Sequence, residues 1–491
     1  MCSEYLVSPG KLRTGNTMTI LRSMITNVAA RSIAELINRF SSAVFWILIA
    51  RRFGAAGLGS LAFGISLFAL FETIATLGLS SVVIRDVARR RGRAGQYFGH
   101  TLLLGFISTL AFMVLMIAAA HWIKPSEDSQ FAARVMAVAL IPASGFYWSR
   151  AILSAAERMS YIAIARTAEN LFKVGAGVFV IFSGFGLRYV IVVVALSKIV
   201  SFLICFGYAF VKVARPDYRL KMDLAKYLLK QIPSFSMIAV FNALFWSVTV
   251  VVLTKLAGEI EAGIFSAAFK LVDVGLSFAL SYGQALFPIS SRISSNNFKL
   301  FEHLCKKSIK YITLFTMAIA AGTSILSHRI ILLVYGSGMT PAVPVLRVLI
   351  WILVPFAIIP VFAYSLVTHE RQNQDLVANI SAVLGVILLN IGLVPVYGAL
   401  GSALSLLFGC LVFFIVEYYW VQKGLYRFEI SIRSVKPFLG VVLMSAAVFL
   451  LRESNLLLTA FVGGIIFLAF LGLSGSVTDF DLRLIKQLKS I

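Results

Sequence analysis

A helix that crosses the hydrocarbon core of a membrane needs about 20 consecutive apolar residues. In this 491-residue chain fourteen stretches meet that requirement: 27–50, 58–80, 101–120, 131–153, 161–183, 189–211, 235–254, 263–287, 310–328, 343–367, 376–396, 398–421, 435–451 and 454–474. Backbone inside lipid must satisfy its own hydrogen bonds, so repeated apolar stretches of this length dictate helices. Apolar residues make up 59% of the chain and charged residues 13%, with mean hydropathy +0.92. A water-soluble globule cannot hide that much apolar surface behind so little charge. The expected fold is therefore all-α, a polytopic membrane protein with about fourteen transmembrane helices. The thirteenth stretch is short, so twelve helices plus a hairpin describe the pattern equally well.

The charge is lopsided, with 44 Lys and Arg against 21 Asp and Glu. In a soluble chain such an excess would suggest nucleic acid. Here cytoplasmic loops are the simpler place for it. With the N-terminus inside, 29 cations fall in the inner segments, Arg150 among them, and seven outside: Arg51, Arg52, Lys124, Arg188, Lys255, Arg329 and Arg452. That ratio predicts both ends in the cytoplasm, an inner-membrane location and no nucleic-acid partner. The segment 218–232 places Leu220, Leu224, Leu228 and Leu229 at helical spacing with Lys221, Lys226 and Lys230 between them. It is expected as an amphipathic helix on the inner surface.

A repeat divides the chain. At a constant offset of 204, Gly54 meets Gly258, Gly59 meets Gly263 and Leu67 meets Leu271, each copy at the same point of a helical hairpin six spans apart. Six being even, the halves share one orientation, and parallel repeats of this kind place a transport site at their interface. The expected organisation is a tail (1–26), a six-helix bundle (27–211), an amphipathic linker (212–234), a second six-helix bundle (235–421), an added helix pair (435–474) and a second tail (475–491).

Eight cations lie within spans: Arg31, Arg39, Arg134, Arg166, Lys173, Lys198, Lys270 and Arg347, against the acids Glu35, Glu72, Glu169, Asp273 and Glu417. Each costs about 2.5–3.5 kcal/mol at mid-membrane unless paired or wetted. Arg31, Arg134 and Arg347 are near span ends and can snorkel. Arg31, Glu35, Asn38, Arg39 and Ser42 form one stripe on the first span, and Arg166, Glu169, Asn170 and Lys173 another on the fifth. Lys270, Asp273, Ser277, Ser281 and Gln284 follow one face of the eighth. Lys198 and Glu72 stand deep in their own spans. Ion pairs such as Arg39–Glu35 and Lys270–Asp273 could simply bind helices together. The surplus of cations instead suggests a chamber for an anion, and a diphosphate carries comparable charge.

Other chemistries find little support. The sequence has no G-x-x-x-x-G-K-[ST] for nucleotide hydrolysis. Cys2, Cys205, Cys305 and Cys410 are far apart, and no metal or cofactor is expected. No carboxylate pair sits in a large outer loop, so an enzyme is not expected.

The order of short motifs resembles the multidrug/oligosaccharidyl-lipid/polysaccharide (MOP) superfamily, and within it the Wzx-type oligosaccharide flippases. The carrying residues are Ala50-Arg51-Arg52-Phe53-Gly54 with Gly59, Ala62 and Phe63, then Gly78 and Arg85-Asp86 with Ala88-Arg89. In the second half they are Leu228-Leu229 with Pro233, Gly263, Phe265, Ala267-Ala268, Lys270-Leu271, Ala285-Leu286-Phe287-Pro288 and Leu333-Val334-Tyr335-Gly336. The resemblance implies two six-helix bundles around a V-shaped cavity, two extra C-terminal helices, and alternating access for a polyprenyl-diphosphate-linked glycan. It also implies that the basic residue of the first span is Arg31 or Arg39, with Arg85-Asp86 at the inner end of the second.

The expected function is a flippase for lipid-linked oligosaccharide in O-antigen, lipopolysaccharide or other surface-polysaccharide assembly, with glycosyltransferases or a polymerase of the same route as expected partners. Arg31, Arg39, Arg166, Lys173, Lys198, Lys270 and Gln284 are the expected substrate contacts. Glu72, Arg85, Asp86 and Asp273 are the expected coupling or gating groups. An ion-coupled small-molecule exporter on the same scaffold and a membrane-embedded glycan-assembly enzyme are the alternatives.

Overall fold

The computed structural model describes residues 14–123, 125–219, 221–296, 298–427 and 432–473. Side chains are described from Asn38 onward, apart from Arg39, Arg91, 232–236, Ile238, Gln284, Ala285, 287–289, Ser291, Arg292, Ser295, Asn296 and 432–437. The expected site residues Arg31, Arg39 and Gln284 therefore fall outside the described side chains.

Among the described residues there are thirteen α-helices and no strand: α1 (Thr14–Ala75), α2 (Ser80–Arg89), α3 (Ala94–Ile123), α4 (Glu127–Ala155), α5 (Met159–Phe182), α6 (Leu187–Lys212), α7 (Met222–Asn296), α8 (Phe298–Tyr335), α9 (Ala342–Leu349), α10 (Leu353–Thr368), α11 (Gln372–Gly424), α12 (Ile432–Leu450) and α13 (Leu456–Leu473). Three of them reverse direction at one glycine: Gly54 in α1 (φ 67°), Gly258 in α7 (φ 86°) and Gly398 in α11 (φ 52°). A residue with a Cβ rarely adopts such a φ, and glycine adopts it freely. The repeat glycines Gly54 and Gly258 thus make the same turn in the two halves.

Counting α1, α7 and α11 twice, joining α9 to α10, and leaving out the short α2 gives fourteen passes among the described residues. Among the described residues, nine helices are long and apolar enough to cross a membrane. The protein is a multi-pass membrane protein. In α5 the apolar run is interrupted by Arg166, Glu169 and Lys173.

Two ends of the bundle can be told apart. At the kink end lie Gly54, Gly258 and Gly398. At the linker end lie α2, residues 213–219 and Lys221. One apolar core joins the halves toward the kink end, with Phe45, Leu61 and Ala132 of the first packed in one cluster with Phe265, Leu346 and Ala382 of the second. At the linker end each half keeps its own core, around Val83, Phe98, Trp148 and Ile152 in the first and around Phe301, Phe362 and Tyr426 in the second. α12 and α13 pack on α8 through Met444, Val448 and Phe467. The halves are therefore fused at one end and parted at the other.

Polar ties reinforce the fused end. The Arg51 guanidinium donates to the Val334 (2.7 Å) and Leu333 (2.5 Å) carbonyls in the last turn of α8. The Lys255 ammonium donates to the Ile123 (3.0 Å) and Trp122 (3.2 Å) carbonyls that end α3. Arg51 and Lys255 are 204 residues apart, so the repeat places a cation of each half on the C-terminus of a helix in the other. Carbonyls in a last helical turn have no intrahelical partner and carry the negative end of the helix dipole. From the second half, the Glu259 carboxylate also accepts the Ser126 N–H at 2.5 Å.

The segment 213–231 is tied to the first half. Leu228 and Ala225 are buried there and Leu224 is half-buried, while Lys221, Lys226 and Lys230 are exposed, as is Leu229 of the expected apolar face. It does not form a separate helix, because α7 begins at Met222 and runs on through this segment. Leu220 lies outside the described residues.

Candidate functional site

Between the parted ends lies a cavity of about 760 Å³. Its walls come from α1 (Asn38, Ser42, Trp46), the end of α4 (Arg150, Ser154), α5 (Arg166, Glu169, Asn170, Lys173) and the second pass of α7 (Lys270, Asp273, Ser277). The i, i+3 and i, i+4 spacing on α5 and α7 puts each polar series on one face, and those faces are the ones turned to the cavity.

The polar groups are positioned by one another. Asn38 Nδ2 donates to Thr167 Oγ1 (3.1 Å), and Asn170 Nδ2 donates to the Asn38 carbonyl (3.1 Å), joining α1 to α5. The Lys173 ammonium donates to Ser42 Oγ at 3.0 Å. The Lys270 ammonium stands 4.7 Å from the centre of the Trp46 ring and 4.0 Å from Asp273 Oδ2. The latter distance is at the outer limit of an ion pair. The Arg166 guanidinium covers the Phe146 ring at 4.7 Å, and Arg150 covers Tyr147 at 5.1 Å. These aromatic faces hold the cations without neutralising them.

Four cations thus line the cavity, Arg150, Arg166, Lys173 and Lys270, with two carboxylates, Glu169 and Asp273. Glu169 is already committed, since Lys198 donates to its Oε1 at 2.6 Å. The lining consequently keeps a positive surplus. Lys173 lies within electrostatic reach of Arg166 and Lys270, so the cations act on one volume.

Of the residues expected from sequence, Arg166, Lys173, Lys270 and Asp273 come together on this cavity. Lys198 does not stand among its lining residues and is matched to a carboxylate instead, so it is not available to an anion as a lone charge. Glu72 is half-buried within electrostatic reach of Lys198, Arg166 and Arg150. Arg85 and Asp86 sit apart at the linker end, where they contact each other at 2.9 Å. Tyr227 OH accepts from the Arg85 guanidinium and donates to Asp86 Oδ2, both at 2.9 Å. Tyr97 OH donates to the same oxygen at 3.3 Å. Burial alone would raise the Asp86 pKa, but the donors Arg85, Tyr227 and Tyr97 hold it below the ordinary aspartate value.

By sequence Arg150 counts among the inner-loop cations, and Trp46 is one apolar residue of the stretch 27–50. Neither carried a signal of its own, because the chamber's depth at that end depends on how α4 and α5 meet.

Two parallel-related helical bundles of a multi-pass membrane protein thus meet around a cation-rich chamber. The chain belongs to the polysaccharide biosynthesis protein family, whose sequence model matches residues 24–294. It is 22% identical over 436 residues to an uncharacterized membrane protein of Methanocaldococcus jannaschii, covering 82% of this chain and 84% of that one. Among solved structures it is similar to lipid II flippase MurJ in an inward closed conformation, with TM-score 0.78 and 16% identity over 91% of this chain and 99% of that one. It is also similar to an inward-facing multidrug resistance MATE family transporter, with TM-score 0.67 and 17% identity over 79% and 94% of the two chains.

Proposed function

We propose that this protein moves polyprenyl-diphosphate-linked oligosaccharide from the cytoplasmic to the outer leaflet of the inner (plasma) membrane for surface-polysaccharide assembly. The observation that carries the reading is the meeting of Arg150, Arg166, Lys173 and Lys270 on one chamber of about 760 Å³. That volume is in the range of ligand sites that bury most of a ligand's surface. Charge-assisted hydrogen bonds from Arg and Lys suit a diphosphate, and the polar wall of Asn38, Ser42, Asn170 and Ser277 suits the first sugars. The prenyl chain stays in lipid, outside the chamber.

The linker end faces the cytoplasm on this reading, consistent with the inner-loop cations, and the fused kink end faces outward. Rocking of the halves then transfers access from one side to the other. Glu72 and Asp273 serve as the groups that couple an ion to this movement, and partners include the glycosyltransferases or polymerase that make and consume the glycan. The glycan transfer itself belongs to those partners.

The test is reconstitution. Proteoliposomes holding the purified protein and a fluorescent polyprenyl-diphosphate oligosaccharide should expose the glycan to an outer enzyme. Lys173→Ala and Lys270→Ala should each lower the initial rate at least ten-fold at unchanged protein content. Undiminished rates in both variants would sink the assignment, and gradient-driven dye efflux without glycolipid movement would favour a small-molecule exporter.

A further inference from the structure

We infer that a groove on the lipid-facing side of α3 and α4, near the kink end, holds an anionic phospholipid by its phosphate. The groove encloses about 430 Å³ and shares no lining residue with the central chamber. Its apolar wall runs along α3 at Val114 and Ile117, two turns and one turn short of His121 on the same face. Its polar wall is Gln130 and Arg134 of α4. α3 is the lipid-facing element here: its most apolar stretch has mean hydropathy 2.5, and only 17% of it is buried inside the protein.

Arg134 is exposed on this surface, and its hydrogen-bond partner among the described residues is the neutral Gln130 amide, at 2.9 Å. The acids closest to it in α4 are engaged elsewhere. Asp128 and Glu127 meet Arg188 of α6 at 2.9 and 3.6 Å, and Glu259 takes the Ser126 N–H. A guanidinium near the end of a membrane pass, unmatched by carboxylate, is best satisfied where an anion meets it. α4 runs inward from the kink end, so the bond back to Gln130 turns the guanidinium toward the membrane surface. His121, in the last turn of α3, stands at the same end. The groove therefore offers a cationic mouth and an apolar floor, the two parts of a phospholipid in order. A net negative headgroup is the fit, because the mouth's charge is uncompensated.

Thermal unfolding of the purified full chain in detergent tests this, with added dioleoylphosphatidylglycerol, dioleoylphosphatidylcholine or inorganic phosphate. The phosphatidylglycerol should raise Tm by several degrees, with the phosphatidylcholine and the free phosphate giving less than half that shift. Arg134→Gln should weaken the apparent phosphatidylglycerol affinity at least ten-fold, whereas Lys226→Gln, a surface cation at the other end, should leave it unchanged. Ile117→Trp, which fills the exposed floor without touching a charge, should weaken it as well and covers the case in which Arg134→Gln fails to fold. Equal shifts with both lipids, a shift reproduced in full by inorganic phosphate, or wild-type affinity in the Ile117 and Arg134 variants would each overturn the site.

Discussion

Gly59 and Gly263 each lie directly on the backbone of the opposite half. A Cβ on Gly59 would stand 1.8 Å from the Glu259 carbonyl oxygen, and one on Gly263 would stand 1.8 Å from the Ala55 carbonyl oxygen. Glu259 is related to Ala55 by the same 204-residue offset that relates Gly263 to Gly59, so the two contacts are one contact seen twice. This is the self-complementary pattern of a two-fold interface, written within a single chain.

The first prediction follows from that contact. Gly59→Val or Gly263→Val places a branched side chain where backbone already stands, and overpacking of this kind costs about 1–3 kcal/mol or more. The variants should no longer close the kink end. A cysteine placed at Ser42, on the chamber wall, should become reactive to a membrane-impermeant thiol reagent added at the kink end. Unchanged reactivity would show that the halves meet differently.

Arg51 and Lys255 give a graded version of the same test. A cation on a helix C-terminus contributes about 0.3–1 kcal/mol, so Arg51→Ala and Lys255→Ala should each shift the population toward kink-end opening roughly two- to five-fold. The double variant should approach the product of the two, because the ties are on separate helices. Distances between spin labels on the α3 and α8 ends would read the shift.

Lys198 and Lys173 should part company. Lys198→Ala strands a largely buried Glu169 carboxylate and should lower stability by about 3 kcal/mol, a loss that Glu169→Gln in the same chain restores. Lys173→Ala leaves no stranded acid and should keep Tm while losing transport. Thermal unfolding and the glycolipid assay together separate them, and transport loss in both with no stability loss in either would refute the distinction.

Glu417 is fully buried, and its polar neighbour among the described residues is another carboxyl, that of Asp375. A buried carboxyl that meets only a second carboxyl opposes folding. Glu417→Gln should raise Tm or leave it unchanged, and a large drop would mean that the carboxylate is needed where it stands.

The docking of 213–231 should depend on acid in one direction. Because the folded state holds the Asp86 carboxyl below its ordinary value, the stabilisation is present above the unfolded aspartate pKa near about 4. It fades only as pH falls through the lower folded value. Hydrogen exchange across 221–231 should be slow at neutral pH and faster in strong acid. Asp86→Asn should bring the fast behaviour to neutral pH.

Much of this architecture is legible in the sequence, for identifiable reasons. Helix periodicity places Arg166, Glu169, Asn170 and Lys173 on one face, and the repeat marks the reversals at Gly54 and Gly258. What sequence misses is pairing between distant segments. Nothing local to Lys198 announces Glu169, 29 residues earlier. Arg51 and Lys255 read as outer-loop charges because their partners are backbone carbonyls, which leave no residue signature. Gly59 and Gly263 read as turn formers, yet Gly54 and Gly258 make the turns and the second pair makes room.

One consequence of the unequal ends concerns how such a molecule could be stopped. With a common cluster of Phe45, Leu61, Phe265 and Leu346 at one rim and separate clusters at the other, the proposed rocking would trade one apolar seam for its mirror. The protein is then a balance beam, steady only while each rim can shut in turn. A small greasy wedge lodged between the Val83 and Phe362 clusters would freeze the beam without ever competing for the phosphates.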